Sequence, residues 1–247
     1  ETVTRMSLEE RVRPVLYINK IDRLIKELRL TPEKMQETLA TVVANFNQLI
    51  DTYAEEEYKE KWKVSIQDGS VTFGSAKDRW AINVDVMKKK GVTFKDVIDA
   101  YSDSGKVEDL VEKAPLAEAV LGMVVKHHPA PHTAQKYRIP KIWKGDLESD
   151  LGKSILNCDD DGPTVMMIVN MTIDPAAGPV AIGRLFSGKI KDGQTINIID
   201  SKREGRVQSV NFFMSNVREQ VGELSAGNIP ALLGLTEARA GQTVSTN

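Results

Sequence analysis

An asparagine, a lysine and an aspartate stand together after a short apolar run near the start of the chain. The run covers residues 15–18 (Val-Leu-Tyr-Ile), and the polar residues are Asn19, Lys20 and Asp22. An ionised aspartate only accepts hydrogen bonds, an asparagine amide donates and accepts them, and a lysine can lay its methylene stem along a flat ring. These groups could therefore bind a heterocyclic base that presents two adjacent donors, as guanine does at N1 and N2.

The spacing of these residues, Asn-Lys-x-Asp, is the pattern with which GTP-binding proteins recognise guanine, although a motif of three fixed positions needs supporting context. We expect Asp22 to accept from the two guanine donors and Lys20 to cover the ring face. Asn19 is expected to donate to the base and to tie down neighbouring loops. Adenine would leave the Asp22 carboxylate unpaired, and a site of this kind can reject such an analogue by ~10⁴-fold.

A second loop of small residues follows the next short apolar run, at 71–73, and supplies that context. Its sequence, Ser75-Ala76-Lys77, is that of the other guanine-side loop of GTP-binding proteins. Its small side chains would let the backbone N–H of Ala76 approach guanine O6, and Ser75 is expected to steady the loop around Asp22. Two matched loops in the right order, each after a strand, favour a nucleotide site over a plain polar turn.

The two loops can meet only if they follow neighbouring parallel strands. Short apolar runs bounded by proline or polar residues are typical of buried strands in an α/β sheet, where ligands bind beyond the carboxyl ends of the strands. Thr31 and Pro32 predict the start of a long amphipathic helix through residue 53. The pattern further predicts a strand at 64–66, joined to 71–73 by a tight turn, and helices at 78–90, 93–101 and 115–125.

Length and composition limit the function classes. The 247 residues suggest one large or two ordinary domains, and 41% apolar with 28% charged residues is typical of a soluble globular protein. A net charge of −2 gives no global basic field, although local patches could still contact RNA. The single cysteine, Cys158, rules out an internal disulfide and fits a cytoplasmic location. No apolar run is long enough to span a membrane, and the initial Glu1 indicates a piece of a longer protein.

Three features resemble metal or phosphate sites but lack the required spacing. All three histidines lie in 127–132, where Pro129 stops the helix and no cysteine or carboxylate is near, so a surface linker is expected there. Residues 152–154 (Gly-Lys-Ser) resemble the end of a phosphate loop, but Leu147 stands where its first glycine belongs. Residues 159–162 lack the alternating spacing of a calcium loop. We therefore predict no metal ligand and no catalytic residue in this chain.

The second half of the chain changes from helical periodicity to β-branched runs separated by glycines. Many short strands with glycine turns at near-regular spacing predict a small closed β-barrel. The predicted domains are residues 1–137 (α/β), a linker at 138–163 and the barrel at 164–247. The strands are predicted at 164–173, 180–187, 194–199, 206–213, 228–235 and 242–245.

At several places the chain resembles the translational GTPases of the elongation factor 2 type found in archaea and eukaryotes. The resemblance covers nearly the whole chain and is weaker to bacterial elongation factor G. In the first half it is carried by residues 19–22, 74–76 with Trp80, 124–129 and 134–138. In the second half, residues 183–193 resemble the glycine-rich hairpin of the barrel that follows the G domain in these proteins, and residues 226–229 and 239–243 continue the match.

The resemblance implies the C-terminal half of a P-loop-type G domain followed by an all-β translation-factor barrel. In the family, the phosphate loop, the magnesium-binding switch and an Asp-Thr-Pro-Gly-His loop precede the guanine-reading asparagine, and none of these occurs in this chain. The intact parent is thus expected to be a ribosomal translocase that hydrolyses GTP with Mg²⁺. Its partners would be ribosomal RNA and ribosomal proteins. The chain alone is expected to contact only the guanine side of GTP or GDP and to be inactive.

Two other functions are compatible with parts of the sequence. Another translational GTPase, such as a termination factor or a relative of elongation factor Tu, would share the guanine loops, but Tyr137 and Arg138 favour the elongation factor 2 type. A module that is not an enzyme, in which the barrel binds RNA or protein, would not need the paired base-reading loops. A phosphate loop upstream of residue 1 would support the enzyme.

Overall fold

The computed structural model describes residues 1–102, 105–215 and 217–246. The chain divides into two compact units, Glu1–Pro129 and Ala130–Asn247. No helix in the described part of the chain is both long enough and apolar enough to cross a bilayer.

Helices surround a small sheet in the first unit. Its strands are β1 (Leu16–Ile18), β2 (Val71–Ser75) and β3 (Trp80–Ile82). Its helices are α1 (Thr2–Glu9), α2 (Ile21–Lys26), α3 (Pro32–Tyr53), α4 (Glu56–Trp62), α5 (Val84–Lys90), α6 (Phe94–Ala100), α7 (Val107–Lys113) and α8 (Leu116–His127). The cap predicted for α3 is confirmed, because the Thr31 side chain accepts a hydrogen bond from the backbone N–H of Lys34.

The sheet of the first unit has three strands in the order β1-β2-β3. The strands β1 and β2 are parallel, with Ile18 opposite Phe73, so the predicted parallel neighbours are confirmed. Every residue of β2 is buried, as expected for the central strand. The strand β3 runs antiparallel to β2, with Ser75 opposite Trp80. Both guanine-type motifs therefore follow the carboxyl ends of adjacent strands.

Two predicted elements of this unit are wrong. Residues 64–66 do not form a strand, because the Asn47 side chain takes both backbone hydrogen bonds of the buried Val64. Residues 80–82 form a strand and not the start of a helix, since Ala81 donates to the carbonyl of Ala114 on the side away from β2. The helix α5 starts later, after Asn83, whose side chain caps the N–H of Val86.

The histidine-rich segment is not entirely a surface linker. His127 ends α8 and is buried, and its Nε2 lies 3.1 Å from the carbonyl oxygen of Asp68. Burial lowers the pKa of the neighbouring His128, and the charges of Arg13 and His127 lower it further. Within the described ranges, no three His, Cys, Asp or Glu side chains are grouped so that they could hold a metal ion.

The second unit begins with two helices, α9 (Pro131–Ile142) and α10 (Asp150–Asn157), where a linker was predicted. The boundary predicted at residue 137 thus lies inside α9, and the division in the structure follows Pro129. Both helices have an apolar side that packs on the first strands of the unit, which explains why the segment forms helices and not an extended linker. This cluster contains Trp143, Leu147, Leu151, Leu156 and Phe186 around the buried Ile139, Ile155 and Val165.

The strands of the second unit form a sheet of eight strands and a separate ribbon of two. The sheet order is β10-β9-β12-β5-β4-β13-β7-β8, and the ribbon pairs β11 with β6. The strands are β4 (Val165–Asp174), β5 (Gly178–Ser187), β6 (Lys189–Lys191), β7 (Thr195–Ile198), β8 (Arg203–Arg206), β9 (Ser209–Met214), β10 (Val217–Gln220), β11 (Glu223–Ser225), β12 (Ala231–Leu233) and β13 (Thr243–Ser245).

An antiparallel arrangement of these strands was predicted correctly, but the prediction that they close into a barrel is wrong. The sheet order is open, and its edge strands β8 and β10 carry exposed charged side chains of the kind that end a sheet. The predicted strand 206–213 is broken at Val207, whose backbone bonds to Gly193 and Gln194 separate β8 from β9. Ile190 of β6 still shares one core with the large sheet, including Leu185 of β5 and Val210 of β9.

Candidate nucleotide-binding site

Asn19 joins the two guanine-type segments directly. Its Oδ1 accepts a hydrogen bond of 2.9 Å from the backbone N–H of Ala76, which is 57 residues away in the sequence. The same oxygen accepts from the N–H of Lys20 at 2.8 Å and lies 3.4 Å from the Tyr17 hydroxyl. The parallel pairing of β1 with β2 makes this contact possible, and the contact agrees with the expected tying of the two loops.

The backbone N–H of Ala76 is already engaged in this arrangement. Sequence reasoning assigned that N–H to guanine O6, whereas the structure gives it to the Asn19 side chain. A base at this position must therefore share the donor with Asn19 or replace it. Ala76 is exposed, so a ligand can reach its backbone.

Lys20 lies between Asn19 and α2 with a left-handed backbone, at φ 67° and ψ 33°. This region is costly for a residue with a Cβ, so the turn is held by its surroundings. The conformation reverses the chain after β1 and starts α2 at once. The Lys20 side chain is exposed, as a residue that covers the face of a bound ring would be.

Asp22 lies in the first turn of α2 and is only 8% exposed. The charge of Asp22 affects two tyrosines. Burial is the largest cause that raises the pKa of Tyr17, and the charge of Asp22 raises it further. Burial also raises the pKa of Tyr101 most, and Asp22 makes a smaller contribution. Asp22 is thus a largely buried side chain in the first turn of α2, within electrostatic reach of Tyr17 and Tyr101.

Ser75 is fully buried at the end of β2. Its Oγ accepts from the backbone N–H of Asp78 at 3.1 Å, which closes the turn that contains Ala76. Ser75 therefore stabilises its own loop, whereas it was expected to steady the loop around Asp22. Both arrangements fix the position of Ala76.

A group around the Tyr101 hydroxyl was not found by sequence reasoning. Tyr101 donates to Asp78 Oδ2 at 2.6 Å and accepts from Trp80 Nε1 at 2.7 Å. Lys26 of α2 places its Nζ 4.7 Å from the centre of the tyrosine ring. Burial is the largest cause that raises the pKa of Tyr101, followed by the hydrogen bond to Asp78. The only sequence signal was Trp80, which belongs to the resemblance described above.

Known protein families account for both units. The model of the elongation factor Tu GTP-binding domain matches residues 1–130, and the model of elongation factor Tu domain 2 matches residues 178–245. The chain belongs to the elongation factor Tu GTP-binding domain family. The match spans the two guanine-type segments and ends next to the division between the two units.

Curated relatives cover the whole chain and carry the name elongation factor 2. The protein of Cenarchaeum symbiosum is 80% identical over 246 residues, which is 100% of this chain and 34% of that protein. The protein of Sulfurisphaera tokodaii is 53% identical over 98% of the chain and 33% of its own length. That of Methanocaldococcus jannaschii is 52% identical over 99% of the chain and 34% of its own length. The chain therefore spans about a third of the length of these relatives.

Proposed function

We propose that this chain forms the guanine-reading part of the nucleotide site of an elongation factor 2 that hydrolyses GTP during ribosomal translocation. The hydrogen bond from the Ala76 N–H to Asn19 carries the proposal, because it brings both guanine-type segments to one edge of the sheet. The similarity to proteins named elongation factor 2 over the whole chain supports the choice of factor.

Each residue of the proposed site has a distinct task. The Asp22 carboxylate accepts from N1–H and the N2 amino group of guanine, and Lys20 covers one face of the ring. Asn19 positions the loop that contains Ala76, and guanine O6 shares the Ala76 N–H with the Asn19 side chain or replaces that side chain as its acceptor. Ser75 holds that loop in its turn. These contacts make the site specific for the guanine base of GTP and GDP, and none of them involves the phosphates.

The phosphate side of the reaction requires groups that this chain does not contain. Mg²⁺ is expected in the complete factor, where phosphate oxygens and water would supply most of its ligands. Within the described residues, no three His, Cys, Asp or Glu side chains are grouped so that they could hold a metal ion. Most nucleotide affinity and all catalysis in this class of enzyme come from groups around the β- and γ-phosphates. The partner of the complete factor is the ribosome, and the factor works in the cytoplasm.

GTP turnover tests this proposal. The full-length factor that contains this chain should hydrolyse GTP when ribosomes are added, whereas the isolated 247-residue chain should show no turnover above a buffer control. Release of phosphate is measured for both proteins at equal concentration, with and without ribosomes. A full-length factor that ribosomes do not stimulate would contradict the proposed function. Turnover by the chain alone would show that it contains a catalytic site of its own.

A further inference from the structure

Tyr101 lies outside both guanine-type segments but contacts residues that follow each of them in the sequence. It follows α6 directly, and a capping box of Thr93 and Asp96 fixes the start of that helix. The tyrosine hydroxyl bonds to the side chains of Asp78 and Trp80 on one side, and the ring faces Lys26 on the other. A single side chain therefore touches the loop after β2 and the helix after β1.

The two hydrogen bonds of the Tyr101 hydroxyl hold residues at the end of the turn that follows β2. Asp78 ends the turn, and its backbone N–H donates to Ser75 Oγ at the other end. Trp80 is opposite Ser75 in the β2–β3 pairing and is fully buried. Because the Tyr101 hydroxyl accepts from the indole and donates to the carboxylate, both of its hydrogen-bonding directions are used. The position of Ala76 between these anchors is fixed as a consequence.

The contact with α2 reaches the other half of the site. Lys26 and Asp22 are four residues apart in the same helix and therefore lie on one face of α2. The Lys26 ammonium lies over the tyrosine ring at 4.7 Å, within the range of a cation–π contact. The charge of Asp22 also acts on the Tyr101 hydroxyl. Tyr101 is thus linked to the helix that carries the base-reading carboxylate.

We infer that Tyr101 is a positioning residue for guanine recognition, which holds the Ala76 loop against α2 through the Asp78 and Trp80 side chains. This inference rests on the proposed function, since it presumes that the two segments bind guanine. The hydroxyl does not touch the base. Its removal frees the Ala76 loop, while the Asp22 carboxylate that distinguishes guanine from hypoxanthine remains. A tyrosine hydroxyl is protonated at neutral pH, and it therefore donates to Asp78 under the conditions of the experiment.

The experiment measures dissociation constants of GDP and IDP for variants of the full-length factor. IDP lacks the 2-amino group, so the ratio of the two dissociation constants reports on the contact with Asp22. A change that raises both dissociation constants equally reports on the Ala76 loop. Tyr101→Phe keeps the ring over Lys26 and removes only the hydroxyl. It should weaken both nucleotides by about tenfold, the effect of one hydrogen bond to a charged group, and should leave their ratio unchanged.

Variants of Asp78 test the same link from its other end. Asp78→Ala should weaken both nucleotides as Tyr101→Phe does, whereas Asp78→Asn keeps an acceptor oxygen and should bind within twofold of the wild type. The double variant Tyr101→Phe/Asp78→Ala should bind both nucleotides as tightly as either single variant. Each single change already removes the hydrogen bond between these two side chains, so the second change removes nothing more. If Tyr101→Phe does not fold, the difference between Asp78→Ala and Asp78→Asn decides the question.

Tyr53→Phe is the matched control. It also removes a hydroxyl that donates to a carboxylate, Glu1 Oε1 at 2.6 Å, but this hydrogen bond joins α3 to the residue before α1 and involves neither guanine-type segment. The control should bind GDP like the wild type. Three results would each overturn the inference. Tyr101→Phe could bind GDP within twofold of this control, or it could change the ratio of the GDP and IDP dissociation constants. The losses of affinity of the two single variants could also add up in the double variant.

Asp22→Asn separates this inference from the proposed function. It should lower the preference for GDP over IDP, because an amide loses one of the two acceptors that face guanine. If Asp22→Asn changes the preference and Tyr101→Phe has no effect, only the role of Tyr101 is wrong. If neither Asp22→Asn nor Tyr101→Phe has an effect, the guanine site itself is wrong.

Discussion

At the scale of single residues, the side-chain chemistry of the two short motifs predicted a contact between their loops, and the roles of Lys20 and Asp22 toward a base stay predictions. The prediction that Asn19 ties the loops together agrees with its bond to the Ala76 N–H. The left-handed turn at Lys20 could not be predicted, because lysine has no preference for it. Tyr101 was missed since its contacts depend on how α6 packs, which no local spacing in the sequence encodes.

The bond between Asn19 and Ala76 should also stabilise the first unit. Asn19→Ala removes the acceptor of two backbone N–H groups and should lower the free energy of unfolding by about 1–2 kcal/mol. Asn19→Asp keeps an acceptor oxygen at the same place and should cost clearly less. Urea unfolding of both variants measures the difference. Equal losses in the two variants would show that this oxygen does not hold the loops.

At the scale of secondary structure, longer periodic segments were predicted better than short strands. The length and cap of α3 and the parallel pairing of β1 with β2 agree with the structure. The strand β3 has only three residues, so its apolar pattern could equally begin a helix. Its identity depends on partners on both sides, one of which comes from the segment around Ala114. Such a partner is not visible in the local sequence.

The close pairing of β2 with β3 requires a glycine at position 74. A Cβ at Gly74 would overlap the carbonyl oxygen of Trp80 and lie 2.8 Å from the Cβ of Ala81. Gly74→Ala should therefore lower the free energy of unfolding by about 2 kcal/mol, as overpacking of a core does.

Gly122→Ala is the control for this prediction. Gly122 lies in α8 and has open space around an added Cβ, so alanine should stabilise the protein by about 0.5–1 kcal/mol. Urea unfolding midpoints of both variants are compared with the wild type. A Gly74→Ala protein as stable as the wild type would mean that β3 is not held against β2 at this distance.

At the scale of the whole molecule, the change from helical to β periodicity predicted two structural classes in the right order. The division lies earlier than expected, after Pro129, because α9 and α10 pack on the strands of the second unit. The helices were read as a linker since proline and charged residues interrupt their apolar pattern, with Pro140 inside α9. The open order of the large sheet depends on long-range pairing that strand spacing does not determine.

If Asp22 recognises guanine, the Asp22→Asn variant must change the nucleotide preference of the factor. An amide offers a donor where guanine also has a donor, but it complements xanthine, which carries an oxygen at position 2. Dissociation constants of GDP and XDP are measured for the wild type and the variant of the full-length factor. We expect the wild type to prefer GDP and the variant to bind GDP weakly and to prefer XDP. An unchanged preference for GDP in Asp22→Asn would contradict the assignment.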